Sequence, residues 1–371
     1  MKIAMFGHKR IPSREGGVEI VVEELGSRMA AMGHEVTCYN RSGHHVSGRE
    51  FDTQQCNRYK GVSLKQVPTL DVKGLAAATS SFFAAIACAF SNADVVHIHA
   101  EGPAFMCWLP KLVGKRVVVT VHGLDWQRAK WKAGFGAKYI HAGEKMAVRF
   151  ADAVIVLSRN VQEYFRSVYG RETVWIPNGV TKPEILAAEQ IQRKFGLDKD
   201  GYILFLGRIV PEKGIHYLLE AFQDVKTDRK LVIAGGLSDS GSYGEEVRAM
   251  AASDERVLFT GFVQGRLLEE LYSNAYIYVL PSDVEGMPLS LLEAMSYGNC
   301  CVVSDIAECA EVVEDKAVPF PKGDTQALRS VLQSLCEDLR TVKEYKECAQ
   351  AFICEKYNWD DVTKKTLELY Q

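Results

Sequence analysis

Along this chain, short apolar runs rich in valine and isoleucine alternate with longer stretches whose apolar residues recur at helical spacing. The first kind predicts buried strands and the second amphipathic helices. In the first half the predicted strands cover 3–6, 35–39, 62–67, 94–98, 116–121 and 153–157, with helices such as 18–32 and 76–90 between them. The second half repeats the pattern, with strands over 202–206, 230–234, 257–260, 276–280 and 301–304 and helices over 214–222, 245–252, 265–273 and 289–297. Near-continuous apolar strands separated by helices belong to a parallel sheet covered on both faces. The pattern predicts an α/β protein of two doubly wound, Rossmann-like domains. Turn residues cluster at Pro177, Asn178, Gly179 and Pro183, which places the domains at 1–180 and 181–357. A chain of 371 residues also exceeds the usual size of one core.

Ligands of doubly wound sheets bind beyond the carboxyl ends of the strands. Here those positions are rich in glycine and polar residues. Gly7 follows the first strand, and Gly16-Gly17 opens the first helix. His97 and His99 end the fourth strand, and His122 follows the fifth. In the second half come Gly207-Arg208 with Lys213-Gly214, then Gly235-Gly236, then Gly261-Phe262.

The segment 281–295, Pro-Ser-Asp-Val-Glu-Gly-Met-Pro-Leu-Ser-Leu-Leu-Glu-Ala-Met, carries the most information. Asp283, Gly286 and Pro288 break the chain after a buried strand, and helical spacing resumes with Pro288 at or near the first position. Glu285 then lies on the strand-end loop and Glu293 inside the helix. Between them the helix N-terminus offers unpaired N–H groups and a positive dipole end, a seat for phosphate. One carboxylate on each side of an anion seat suits a ligand with hydroxyls at both ends and phosphates in the middle, such as a nucleotide sugar. A surface turn with two solvated acids is the plainer alternative.

Other residues extend the first reading. Arg208 and Lys213 could clamp a diphosphate, Arg as a fork and Lys as a point charge, or Lys213 could simply pair with Glu212. Gly16-Gly17 lacks the full glycine fingerprint of a nicotinamide site but permits close approach to a phosphate, or forms a plain tight turn. His122 points to a hydrogen bond with a sugar hydroxyl, a proton transfer, or a structural cap on its strand. His97 and His99 share a strand face as metal ligands would, with no third ligand placed to complete a site.

Charge divides the chain. Residues 1–180 carry 23 Lys and Arg against 15 Asp and Glu, and the remainder 21 against 32. Eight of nine histidines fall in the first part. Nine of the basic residues lie within 109–150, interleaved with Trp126, Trp131, Phe135 and Tyr139. Such a stretch suits an anionic membrane, a phosphorylated lipid acceptor or a solvated helix face. No nucleic-acid module is recognisable and the pI is near 6.3, which argues against nucleic acid as a partner. Ten scattered cysteines without a Cys-x-x-Cys pair suggest free thiols in a reducing compartment. The start does not read as a signal peptide, and the apolar stretch 74–90 contains Thr79, Ser80 and Ser81 and falls short of a membrane span. The expectation is a cytoplasmic protein, peripheral at the inner membrane face.

Taken together, Gly16-Gly17-x-Glu19, Val121-His122-Gly123, Ile176-Pro177-Asn178-Gly179-Val180, Gly207-Arg208 with Glu212-Lys213-Gly214, Gly261-Phe262 and the Glu285/Glu293 pair resemble the retaining family 4 glycosyltransferases of GT-B fold, over nearly the whole chain. The N-terminal segment also looks like bacterial cell-surface polysaccharide transferases. The resemblance implies two Rossmann-like domains facing across a cleft, with a last helix near 358–371 crossing back onto the first. It implies a nucleoside-diphosphate sugar donor, UDP- or dTDP-linked, and no cofactor or metal. Arg208 and Lys213 would bind the diphosphate, Glu293 the ribose, and Glu285 the transferred sugar, with His122 near sugar and acceptor. Gly16, Gly17, Phe262, Val263, Gly286, Met287, Pro288 and Leu289 would line the substrate. The acceptor would be a saccharide or a polyprenyl-diphosphate-linked saccharide. Rival classes are a glycosidase, a non-hydrolysing nucleotide-sugar epimerase of the same fold, and an inert nucleotide-sugar-binding subunit. A glycosidase would leave Arg208 and Lys213 without a task. Turnover of donor with and without acceptor separates the others.

Overall fold

A computed structural model describes residues 1–45, 47–52, 56–70, 72, 75–127, 135–236 and 242–371. The chain forms two compact units, Met1–Asn178 with Trp359–Gln371, and Gly179–Asn358. Unit 1 contains β1 (Lys2–Phe6), β2 (Glu35–Arg41), β3 (Arg58–Tyr59), β4 (Val62–Val67), β5 (Val95–His99), β6 (Arg116–Val121), β7 (Ala153–Val156) and β8 (Val174–Trp175). Their order in the sheet is β3-β4-β2-β1-β5-β6-β7-β8. Every pairing is parallel except the edge hairpin of β3 with β4. The helices are α1 (Gly17–Ala31), α2 (Ala76–Ala89), α3 (Glu101–Ala104), α4 (Trp108–Leu112), α5 (Phe135–Phe150) and α6 (Arg159–Tyr169). The sheet is buried as its near-continuous apolar strands require: Val117, Val119 and Val121 of β6 join Phe6, Ile98 and Val156 in one core.

The helix Trp359–Glu368 belongs to this unit. It is tied there by an Arg28–Asp360 ion pair at 2.9 Å and by a bond from Arg116 to the Leu369 carbonyl at 2.7 Å.

Unit 2 holds β9 (Tyr202–Leu206), β10 (Lys230–Ala234), β11 (Val257–Gly261), β12 (Ile277–Leu280), β13 (Cys300–Ser304) and β14 (Val318–Phe320), ordered β11-β10-β9-β12-β13-β14 and parallel throughout. Each sheet reverses its winding once, between β1 and β5 in unit 1 and between β9 and β12 in unit 2. These are the switch points where doubly wound sheets open a crevice. Glycine closes both. At Gly7 (φ 111°) a Cβ would lie 2.0 Å from the His99 carbonyl oxygen, and at Gly214 (φ 65°) 1.9 Å from that of Pro281. Only glycine lets the backbones meet that closely.

Predicted elements and observed ones differ by one or two residues at their ends, where caps rather than periodicity decide. The short edge strands β3, β8 and β14 carry too few residues for a periodic signal. Among the described residues no helix is long and apolar enough to cross a membrane.

Candidate active site

In unit 2 the chain leaves β9 through Gly207 and the exposed Arg208, then turns at Pro211–Lys213. Because β9 pairs with β12, this turn lies against the loop that follows β12. The Asp283 N–H donates to the Glu212 carbonyl at 2.9 Å. Lys213 Nζ donates to Glu285 Oε1 at 2.5 Å, and Ser282 Oγ donates to the same oxygen at 2.6 Å. Lys213 therefore pairs with Glu285 and not with its neighbour Glu212, because strand adjacency outweighs sequence adjacency. Both side chains are largely buried, at 13% and 8% exposure, so the pair is shielded more than a surface salt bridge.

The helix Leu289–Ser296 starts beside this pair. Pro288 is its N-cap, one position earlier than a first helical residue, and no side chain caps the helix. Its positive end is thus available to an anion at the same switch point. Glu293 lies one turn further and accepts from the Tyr272 hydroxyl at 3.2 Å. Tyr278 donates to Ser290 Oγ at 2.9 Å and steadies the first turn. Gly286, Met287, Pro288 and Leu289 are buried, and beyond β11 Phe262 is half-buried and Val263 buried. One cation pair, two carboxylates and a helix N-terminus thus collect around the carboxyl ends of β9 and β12.

In unit 1, Gly16 is the N-cap of α1 and Gly17 its first residue. A Cβ on Gly16 would meet Glu19 Oε2 at 2.8 Å, and Glu19 in turn accepts the Lys9 N–H at 2.8 Å. Glu19 folds back over the entry to the helix, so a larger residue at 16 would have to displace its carboxylate.

His122 leaves β6 with its Nε2 3.1 Å from Nδ1 of His99. The His99 ring lies on that of His97, with centroids 4.1 Å apart. His97 in turn bridges the Tyr370 hydroxyl, 2.6 Å from Nδ1, and Thr120 Oγ1, 2.7 Å from Nε2. Burial pushes His97 down to about 3 and His99 well below the usual histidine range, so both are neutral at neutral pH. His99 is therefore one neighbour that orients His122. Among the described residues no group of three His, Cys, Asp or Glu is placed to hold a metal ion.

Comparison with known proteins decides the family. The description "Glycosyltransferase Family 4" matches residues 15–182, and "Glycosyl transferases group 1" matches 187–352. The chain belongs to the family 4 glycosyltransferases. An uncharacterised glycosyltransferase of Methanocaldococcus jannaschii is 27% identical over all of this chain and 98% of its own. Sucrose-phosphate synthase from Thermosynechococcus elongatus has a similar structure, with a TM-score of 0.84 at 21% identity, covering 100% of this chain and 98% of that one. The Anabaena protein HepE, solved in complex with UDP-glucose, follows at 0.79 and 18%, covering 99% and 98%. These neighbours establish the GT-B fold.

Several partners in this glycosyltransferase have no sequence signal. Tyr272 reaches Glu293 from another helix, and Tyr370 reaches His97 across 273 positions. Ser282 stood inside the motif without an assigned task.

The basic stretch needs a correction. Arg128, Lys130, Trp131 and Lys132 lie outside the described residues, as does the Phe135 side chain. Trp126 and Tyr139 do not form an outward aromatic face. Trp126 packs on the core beside His141 and Tyr164, and Tyr139 lies against Phe105 with its hydroxyl buried. Lys138, Lys145 and Arg149 are the exposed cations of α5. Exposed apolar side chains occur instead on neighbouring helices: Phe82, Phe83 and Phe90 on or beside α2, and Leu112 at the end of α4.

Proposed function

We propose that this glycosyltransferase moves a sugar from a nucleoside diphosphate, UDP-linked in the first instance, to an acceptor hydroxyl with retention of configuration and without a bound metal. The observation that carries the reading is the Lys213–Glu285 pair beside the start of the helix Leu289–Ser296. A donor diphosphate seated at that helix start draws Lys213 from Glu285, with Arg208 as the second cation. The bond from the anomeric carbon to the diphosphate oxygen breaks, and a bond to the acceptor oxygen forms on the same face. The acceptor proton passes to the departing diphosphate oxygen. Lys213, Arg208 and the helix dipole stabilise the charge that develops there. His99, held neutral by burial, lies 3.1 Å from His122, which is consistent with a front-face route that needs no enzyme base. His122 then acts by hydrogen bonding to the sugar, Glu293 holds ribose, and Glu285, once released, faces the sugar. The UDP-glucose bound by the fold neighbour HepE favours a uridine donor.

Acceptors are saccharides or polyprenyl-diphosphate-linked saccharides of cell-surface polysaccharide or glycolipid synthesis. Unit 1 meets them at an anionic membrane. The support is the cationic side chains of α5 together with exposed Phe82, Phe83 and Phe90, the last 86% exposed.

NMR of the first-formed product tests the proposal. A retained linkage that forms equally with chelator present is expected. An inverted linkage, or activity lost to chelator and restored by a divalent cation, overturns it. Donor isomerisation without any acceptor identifies an epimerase instead.

A further inference from the structure

Unit 1 holds two carboxyl groups that the transfer reaction does not use. Glu101 opens α3 just beyond β5, and Glu144 lies within α5. Both are 0% exposed. The helices close tightly at this level, since a Cβ on Gly143 would lie 1.9 Å from the Glu101 carbonyl oxygen. One oxygen of each carboxyl is filled by donors. Glu101 Oε2 accepts from the Asp125 N–H at 2.8 Å. Glu144 Oε2 accepts from the hydroxyls of Tyr164 at 3.1 Å and Tyr169 at 2.5 Å and lies 3.1 Å from His141 Nδ1. The remaining oxygen of each, Oε1, is buried and meets no N–H or O–H donor, and the two carboxyls lie close enough to act on one another.

Two carboxyl oxygens can bond only through a proton. The groups facing the pair are Asp125 from the turn after β6, His141 from α5, and Tyr164 and Tyr169 from α6. Among the described residues neither carboxyl pairs with a lysine or arginine. Two adjacent carboxylates without a lysine or arginine between them are unfavourable in a dry site. Burial first, then Asp125 and Glu144, raise Glu101 well above the usual carboxylate range.

We propose that Glu101 and Glu144 share one proton, and that the closed pair positions the turn that carries His122. That turn is anchored at two points, Leu124 in the core and the Asp125 N–H on Glu101. Loss of the proton sets two like charges face to face between α3 and α5 and loosens the second anchor. The role in transfer rests on the function proposed above, whereas the shared proton does not.

Glu101→Gln and Glu144→Gln each replace the proton with an amide N–H that donates to the facing oxygen. Melting temperature is followed from about pH 5 to 9 on the full chain. The folded protein keeps a proton that the unfolded chain releases, so the pair's contribution is complete below the ordinary carboxylate range and is lost as pH rises. The folding equilibrium of the wild type therefore weakens by up to about tenfold per pH unit until the pair ionises. Either glutamine variant lacks that loss, so its advantage over wild type grows with pH. The wild type at neutral pH shows the infrared carbonyl band of a buried protonated carboxyl, and both variants lose it. In the transfer assay the wild type fails on the alkaline side at lower pH than either variant, with donor KM unchanged. Parallel stability curves without the band overturn the shared proton. A stability difference and band with identical pH–rate profiles overturn the positioning role. The first two measurements need no substrate, so a failed function and a failed proton pair give different results.

Discussion

Lys213 and Glu285 stand 72 positions apart in the chain and 2.5 Å apart in the fold. The proposed reaction breaks this pair each time a diphosphate arrives. Lys213→Ala should lower turnover roughly 100- to 1000-fold, the usual loss when one stabilising donor is removed. Arg208→Ala should do the same while changing stability by less than about 0.5 kcal/mol, because its side chain is exposed. Steady-state rates together with melting curves measure both. Near wild-type turnover in either variant would remove that residue from the diphosphate clamp.

Glu293 and Glu285 should separate in binding. Glu293→Ala removes the side chain proposed to hold ribose and should weaken UDP affinity about 10- to 100-fold. Glu285→Ala should leave UDP affinity nearly intact and impair transfer. Calorimetric titration with UDP distinguishes them, and equal losses would contradict the division of labour.

The His97 ring tests the buried end of unit 1. Its folded value near 3 lies below the unfolded value of 6.5, so its contribution is complete above about pH 6.5 and is lost as pH falls. At pH 5 the loss should reach about 2 kcal/mol. Glu101 works in the opposite direction above the carboxylate range, so wild type and His97→Gln are compared at each pH. The variant should show the shallower acid slope. Tyr370→Phe should cost about 1–3 kcal/mol by leaving His97 Nδ1 without its partner. Chemical denaturation at fixed pH reads both.

Gly143→Ala reverses an ordinary trend. In an exposed helix this change stabilises by up to about 1 kcal/mol. Here the added methyl meets the Glu101 carbonyl, so destabilisation of about 1–3 kcal/mol is expected. A rise in melting temperature would mean that α3 and α5 can part without cost.

Flotation with anionic vesicles examines the membrane surface. Binding should weaken as salt screens Lys138, Lys145 and Arg149, and should fall further when Phe82, Phe83 and Phe90 become serine. Failure to float at low salt would leave a soluble acceptor.

How much of this could be read in the chain follows from the range of each signal. Alternation of apolar runs and helices is local, and it located both sheets. Strand ends are local too, which is why Arg208, His122 and Glu285 were visible as candidates. Partner choice is not local. Lys213 ignores adjacent Glu212 because β9 and β12 are neighbours, and Glu101 finds Glu144 only after α5 packs on α3. Trp126 and Tyr139 misled for the same reason. A helix with cations on one face hides which way its aromatics turn until the sheet beneath it exists.

The division of the chain into 1–178 with 359–371, around an inserted 179–358, sets an order of assembly. A ribosome releases the central unit whole while the first still lacks Tyr370, the Leu369 carbonyl and the Asp360 carboxylate. Until then His97 waits without the hydroxyl that meets its Nδ1. The closing segment works as a seal of completion: a product that stops short of residue 359 can own a finished central unit and still present an unfinished partner to the cell's proteases.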